Sequence, residues 1–296
     1  MPRKLEIVWV DAFTTTPLQG NACAVVLDAR GLDDAAMLAI AREINLSETS
    51  FVFPGDGEAD VVVRYWMPVG EIPLAGHPTI ATVHALRETG ALPASRDTVR
   101  VKMPAATVPV TIRDGTYAMS QPPPAFLGTV PRAEIAAALR LREDDLFPGV
   151  TPQTVSTGTP QLMIALASRD ALDRADPDRR ALFRRDGRDW LSVHVFARGE
   201  DATASSGPPV VLVARHFADV GDILEDPFTG SATGGMAGYC ARYGIVRERR
   251  YAVAQGMHVH RPGRAEVEVG GEPPDAIGRI TVAGPAVTVL RGTMTL

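Results

Sequence analysis

Cysteine is nearly absent from this chain of 296 residues, which holds only Cys23 and Cys240. Both stand in apolar company without CxxC or metal-like spacing. That excludes a disulfide framework, gives no support to a zinc site, and leaves buried small hydrophobes as the expected role. Positive charge is nowhere concentrated. With 30 Lys and Arg against 35 Asp and Glu, a net charge of −5 and no basic block, the chain lacks the clustered cations a nucleic-acid surface needs. No stretch reaches the roughly 18 apolar residues of a membrane helix. The start, Met1-Pro2-Arg3-Lys4 followed by the strand-like Leu5-Glu6-Ile7-Val8, lacks the apolar core and small-residue cleavage site of a secretory signal. A cytoplasmic protein whose partner is a small molecule is the expectation, with neither nucleic acid nor membrane involved.

Nucleotide and metal motifs are missing as well. Thr229 to Gly235 is glycine-rich but lacks GxGxxG spacing, Gly-Lys-Ser/Thr is absent, and no GxSxG elbow surrounds Ser231. Without HxxxH or carboxylates at ligand spacing, no cofactor-binding or metal-ligating residue is assigned. The composition that remains, 45% hydrophobic, is ample for the core of one large domain or two ordinary ones.

One pattern occurs twice. Leu74-Ala75-Gly76-His77-Pro78-Thr79 opens a helix-like run closing at Gly90, and Phe228-Thr229-Gly230-Ser231-Ala232-Thr233 opens one closing at Gly244. In each, the closing glycine is fourteen residues after the first, a polar side chain (His77 or Ser231) follows that first glycine, and a threonine comes three after it. A glycine-rich turn feeding a helix start presents free N–H groups to an anion. Two of them suggest a single site built from related halves.

The surrounding elements repeat in the same order. Strands are expected at 5–13 and 22–28, a helix at 33–43 capped by Asp33, strands near 49–53 and 60–67, the first glycine turn and helix, then three short strands between 98 and 121. The second half reads as strands at 153–157 and 161–167, a charged helix over 169–186, strands at 191–197 and 210–217, the second turn and helix, and short strands from 251 to 290. A repeat of about 130 residues implies a duplicated domain rather than a solenoid. Gln121-Pro122-Pro123-Pro124 reads as the linker, and 199–209 as a polar surface loop or flap. Gly234, Gly235 and Gly238 each cost a helix about 1 kcal/mol relative to alanine, so the second helix needs close enclosure by strands.

Four polar residues are candidates for chemistry. Glu48, in Asn45-Leu46-Ser47-Glu48-Thr49, sits where a helix gives way to a strand. A lone glutamate is ordinarily solvated, but at a strand mouth partial desolvation raises its pKa and lets it act as base and then acid. His77, before Pro78, is either an N-cap or a neutral imidazole that exchanges protons near neutral pH. Asp226, before Pro227, is either a plain turn residue or a carboxylate held ionised by the following helix start, and Ser231 is either that helix's N-cap or a site residue. His84, His194, His216, His258 and His260 have no such context and are read as structural.

At these residues the chain resembles the phenazine-biosynthesis PhzF-like family, relatives of diaminopimelate epimerase and proline racemase. The matching segments are Asp11-Ala12-Phe13 with Gly20-Asn21, Asn45-Leu46-Ser47-Glu48, Pro68-Val69 through Pro78, and Glu225-Asp226-Pro227 through Ala232. The resemblance implies an α+β fold of two pseudo-symmetric halves, each a curled, mostly antiparallel sheet or barrel round a central helix, with the site in the cleft between them. The expected division is 1–120 with 284–296, and 121–283. It also implies Glu48 as catalytic acid/base with His77 and Asp226 as partners, and Ser47, Gly76, Gly230, Ser231 and Ala232 as substrate contacts. The related epimerases carry cysteine just before each turn glycine, where this chain has Ala75 and Thr229. Cys240, nine residues past Ser231 and about 13 Å along a helix, does not replace a thiol there.

The expected function is therefore a cofactor-independent isomerase shifting a proton between carbons of a small carboxylate-bearing substrate. A non-catalytic binding or scaffold protein keeping the cleft is the alternative, and a racemase with Glu48 and Asp226 as opposed bases is weaker. Departures at Phe228 and at Asp219, where the family usually has proline, bear on substrate preference. Assembly is open, with a homodimer the commonest soluble form.

Overall fold

The structure is a computed structural model describing residues 2–183, 186–199, 208–220 and 223–296. Most of the polar loop at 199–209 lies outside the described residues. Two compact units divide the chain, Met1–Ser120 with Ala283–Leu296, and Gln121–Val282.

The first unit is built from β1 (Lys4–Ala12), β2 (Asn21–Val26), α1 (Asp34–Ile44), β3 (Glu48–Pro54), β4 (Val61–Met67), β5 (Gly70–Ile72), α2 (His77–Glu88), β6 (Thr98–Lys102), β7 (Thr107–Arg113) and β8 (Thr116–Gln121), whose last residue, Gln121, belongs to the second unit. α1 starts where its cap predicts, with the Asp33 carboxylate accepting from Ala36 N at 2.8 Å. β2 is buried throughout because both its faces are covered. Ala24 and Val26 pack with Met37, Ile40 and Ala41 of α1. The intervening residues turn to the other face, where α2 lies against β1, β2 and β3. Ten of the twelve α2 residues are buried, so this helix is sheathed rather than laid on a surface.

The second unit contains β9 (Ala125–Thr129), α3 (Arg132–Ala138), β10 (Gln153–Ser156), β11 (Pro160–Leu166), α4 (Arg169–Arg174), α5 (Arg179–Phe183), β12 (Ser192–Arg198), β13 (Val210–Val220), β14 (Ile223–Asp226), α6 (Gly230–Tyr243), β15 (Arg250–Gln255) and β16 (Gly263–Glu272). Finally β17 (Ala276–Thr295) begins among the residues of the second unit and ends among those of the first.

Strand pairing carries the duplication. β1 and β2 are antiparallel, β2 and β3 parallel, β3 and β4 antiparallel, β4 and β6 parallel, β6 and β7 antiparallel. The sequence of senses from β10 through β11, β12, β13, β15 and β16 is the same. Each parallel pair needs a crossover, and helices stand at those places, with α2 and α6 the equivalent second crossovers.

Three expectations are corrected. The charged helix over 169–186 is two short helices, because Pro177 has no N–H to donate and the chain restarts with Asp178 accepting from Arg180 N at 2.9 Å and Ala181 N at 3.0 Å. The last of the short strands is a single 20-residue strand, and its Pro285 still accepts from Phe13 N at 2.8 Å because proline lacks only the donor. The proline run is no free linker. A Cβ at Gly238 would lie 2.8 Å from the Pro124 ring and one at Gly234 1.9 Å from the Gln121 amide oxygen, so this segment is packed on α6. That contact is the reason for two of the mid-helix glycines.

Candidate active site

The Asp-Ala-Phe and Gly-Asn segments form one loop. Asp11, almost fully buried, accepts from Leu18 N at 2.7 Å and so clamps the turn. Gly20 has φ +59°, and a Cβ there would lie 2.2 Å from Ala12 O. The loop thereby delivers Asn21 to the first position of β2, paired with Ala12.

Glu48 is the first residue of β3, in parallel register with Cys23 of β2. Its side chain keeps 18% exposure, and His77 Nε2 lies 3.3 Å from its Oε2. That approach is off the line of a hydrogen bond, and among the described residues the buried Oε2 receives none. Desolvation pushes the carboxyl up to about 7, against a hydrogen bond from the Ser47 side chain that holds it down. Cys23 is fully buried, and burial first, then the Glu48 charge, push its thiol well up, so it remains protonated and forms an apolar wall. Cys240 is equally buried. Both cysteines are free thiols serving as small hydrophobes.

His77 is the first residue of α2 and not its cap; Gly76 is the cap and Pro78 follows at the second position. Buried, His77 has Asn21 Nδ2 3.1 Å from its Nδ1. Among the described residues no side chain caps α2. The recurrent threonine has the same job in both copies: Thr79 Oγ1 donates to Ala75 O at 2.6 Å and Thr233 Oγ1 to Thr229 O at 3.0 Å, each reaching back one turn across the glycine. Thr79 also meets the Tyr65 hydroxyl at 2.8 Å. Ser47, Glu48, Gly76 and His77 are thus together in the first unit.

Asp226, Gly230, Ser231 and Ala232 gather at the start of α6. Thr229 is the cap residue, but among the described residues its hydroxyl accepts from no helix N–H and instead donates to Asp226 Oδ2 at 2.5 Å. Gln255 braces this turn, donating to Asp226 O at 2.8 Å and accepting from Thr229 N at 3.3 Å. Gln121 Nε2 donates to Gly230 O at 2.9 Å, and Thr157 donates to Gln121 Oε1 at 2.5 Å. Ser231 is no cap; its Oγ accepts from Gln161 Nε2 at 3.1 Å. Ala232 is fully buried and offers only backbone.

Three of the histidines read as structural, His84, His194 and His216, have structural partners. His84 meets the Tyr117 hydroxyl at 3.0 Å and Thr288 at 3.1 Å, tying α2 to β17. His194 and His216 face each other, Nδ1 to Nδ1, at 3.2 Å in the second unit's interior. Asp219 pairs with Arg179 of α5.

Sequence reasoning missed five residues that shape the turns: Asn21, Gln121, Thr157, Gln161 and Gln255. Asn21 was legible in Gly-Asn, since a left-handed glycine fixes the next residue's direction. The others are distant in sequence, and only strand pairing brings them to α6.

A two-fold repeat of one strand order, each copy closing round a glycine-opened helix, defines an α+β class shared with solved structures. A PhzF-family phenazine biosynthesis protein of Bacillus anthracis superposes with TM-score 0.85 at 28% identity, covering 99% of this chain and 100% of that one. A hydroxyproline epimerase of Agrobacterium vitis, at 13% identity and TM-score 0.62 over 99% of this chain and 93% of its own, shares the fold. The chain matches the phenazine biosynthesis-like proteins over residues 10–292 and belongs to that family. The trans-2,3-dihydro-3-hydroxyanthranilate isomerase of Pseudomonas aeruginosa is 34% identical over 294 residues, 96% of this chain and 97% of the relative. An uncharacterized isomerase of Clostridium acetobutylicum is 30% identical over the whole of both chains. This chain is an isomerase. Among the described residues no helix is long and apolar enough to cross a membrane.

Proposed function

We propose that the chain is a cofactor-independent isomerase that shifts a proton between carbons of a small carboxylate-bearing substrate, with Glu48 as the acid/base. The observation that carries this reading is a desolvated carboxyl with an oxygen lacking a hydrogen bond, 3.3 Å from a buried imidazole. Near neutral pH such a carboxyl is divided between its two forms, as a group that must first take and then return a proton requires. In its ionised form Glu48 accepts the proton as the substrate's C–H bond breaks. The electron pair moves along the carbon framework, and the protonated Glu48 returns the proton at a second carbon. His77 is assigned to proton exchange and charge stabilisation beside Glu48. Gly76, whose helix start has no side-chain cap, and Ser47 are assigned to substrate contact. In the second unit Asp226 is a catalytic partner, with Gly230, Ser231 and Ala232 contacting substrate through N–H and hydroxyl groups.

The Pseudomonas relative's named substrate heads the panel of small carboxylates to assay in D2O by NMR. The wild type is expected to place deuterium in the product, and Glu48→Gln to lower turnover by about 10²–10⁴-fold. Full turnover by Glu48→Gln, with deuterium still entering, would overturn the assignment. Binding without exchange across the panel would favour a scaffold protein.

A further inference from the structure

In each unit the first side chain after the turn glycine is held by a carboxamide from an equivalent strand. Asn21 of β2 places Nδ2 3.1 Å from His77 Nδ1, with both residues buried. Gln161 of β11, 2% exposed, places Nε2 3.1 Å from Ser231 Oγ. β2 and β11 correspond, each being the strand that runs parallel to the next in its unit. The longer glutamine reaches a side chain that is shorter than histidine.

An amide nitrogen donates and does not accept. His77 Nδ1 is therefore the acceptor, and a neutral ring must carry its one proton on Nε2. That is the nitrogen 3.3 Å from Glu48 Oε2. Ser231 Oγ is likewise an acceptor toward Gln161, so its own hydrogen is left to donate elsewhere. Both contacts impose a direction on a group that would otherwise be free to choose one.

We propose that Asn21 and Gln161 are matched positioning residues of the isomerisation, fixing His77 as a donor through Nε2 and Ser231 as a donor through its hydroxyl. This rests on the assignment of Glu48 and His77 to proton transfer, but the tautomer is measurable without turnover. In full-length protein with 15N-labelled histidine, the His77 signal is identified by its loss in His77→Gln. Neutral His77 is expected to be Nε2–H. In Asn21→Asp a carboxylate accepts from Nδ1, and His77 is expected to become Nδ1–H or doubly protonated. That variant should lose kcat by at least about tenfold with little change in KM, as a wrongly oriented imidazole does. Gln161→Glu, which reverses the bond to Ser231, should raise KM about fivefold or more while kcat changes less.

A wild-type Nδ1–H tautomer, or an unchanged tautomer in Asn21→Asp, would overturn the proposal. Should Asn21→Asp not fold, the wild-type spectrum still decides, and Asn21→Ala should let the Nδ1–H form appear. An intact Nε2–H tautomer in a protein that exchanges no substrate proton would overturn the acid/base reading and leave the positioning contacts standing.

Discussion

Glu48 gives the first unit a stability contribution that falls as pH rises. Its carboxyl is near 4.5 when exposed and is raised to about 7 in the fold, so folding favours the protonated form. The associated stability is complete below about pH 4.5 and is lost as pH rises through 7, a cost on the order of 3 kcal/mol once the group is ionised. Glu48→Gln keeps the shape without the charge. Its melting temperature is expected to exceed that of wild type at pH 8 and to match it near pH 4.5, with the gap opening between; a gap independent of pH would contradict a desolvated Glu48. The kcat/KM of the wild type should rise with pH on an acid limb near 7, because the ionised form must remove the proton. Of these properties the sequence offered the glutamate and its strand-mouth position. The neighbours that desolvate it come from β2 and α2, some 25 to 30 residues away on either side.

At the scale of the element, α6 shows why a helix carries glycines against its own propensity. Alanine at Gly238 would gain about 1 kcal/mol of helix propensity. Its Cβ would then lie 2.8 Å from two atoms of the Pro124 ring, which cannot turn aside. Overpacking of this kind costs about 1–3 kcal/mol, so Gly238→Ala is expected to be neutral to destabilising by up to about 2 kcal/mol in denaturant unfolding. Gly234→Ala meets the Gln121 carboxamide at 1.9 Å and must also displace the bond from Gln121 to Gly230 O, so it should be the more damaging of the two. The opposite order would mean that the proline segment, not Gln121, is the tighter constraint. The glycine spacing was readable as a demand for close enclosure. Which chain encloses the helix was not, because three prolines in sequence look like a spacer whether they float or pack.

For the whole molecule, duplication has preserved architecture while letting the interiors diverge. Where the first unit buries a carboxyl, the second buries two histidines. Burial lowers His216 to about 3 and His194 well below its ordinary value, the latter also through its neighbour's charge. The unfolded chain takes up these protons near pH 6.5 and the folded one does not, so stability is complete above 6.5 and falls as pH drops toward 3. Each histidine adds a slope of about 1.4 kcal/mol per pH unit in that window. The double variant His194→Gln/His216→Gln should show a flatter loss of stability in acid, measured by urea unfolding from pH 6.5 to 4. An unchanged slope would mean that the pair titrates normally in the folded protein. Glu48 and this histidine pair thus respond to pH in opposite directions.

Much of this protein was determined locally. The strand and helix periods, the Asp33 cap, and the twice-written glycine turn with its back-bonding threonine follow from short-range sterics and hydrogen bonding, and those are written in adjacent residues. So was the absence of thiols at Ala75 and Thr229. What only the tertiary structure decided is which residues hold the turns and in which direction. From their neighbours His77 and Ser231 read equally as caps or as site residues, yet their partners are amides on strands far off in sequence, and the caps are Gly76 and Thr229. A hydrogen-bond direction depends on which donor arrives, and a pKa on how much water is excluded. Both are set by pairing across strands, which no local stretch of sequence contains.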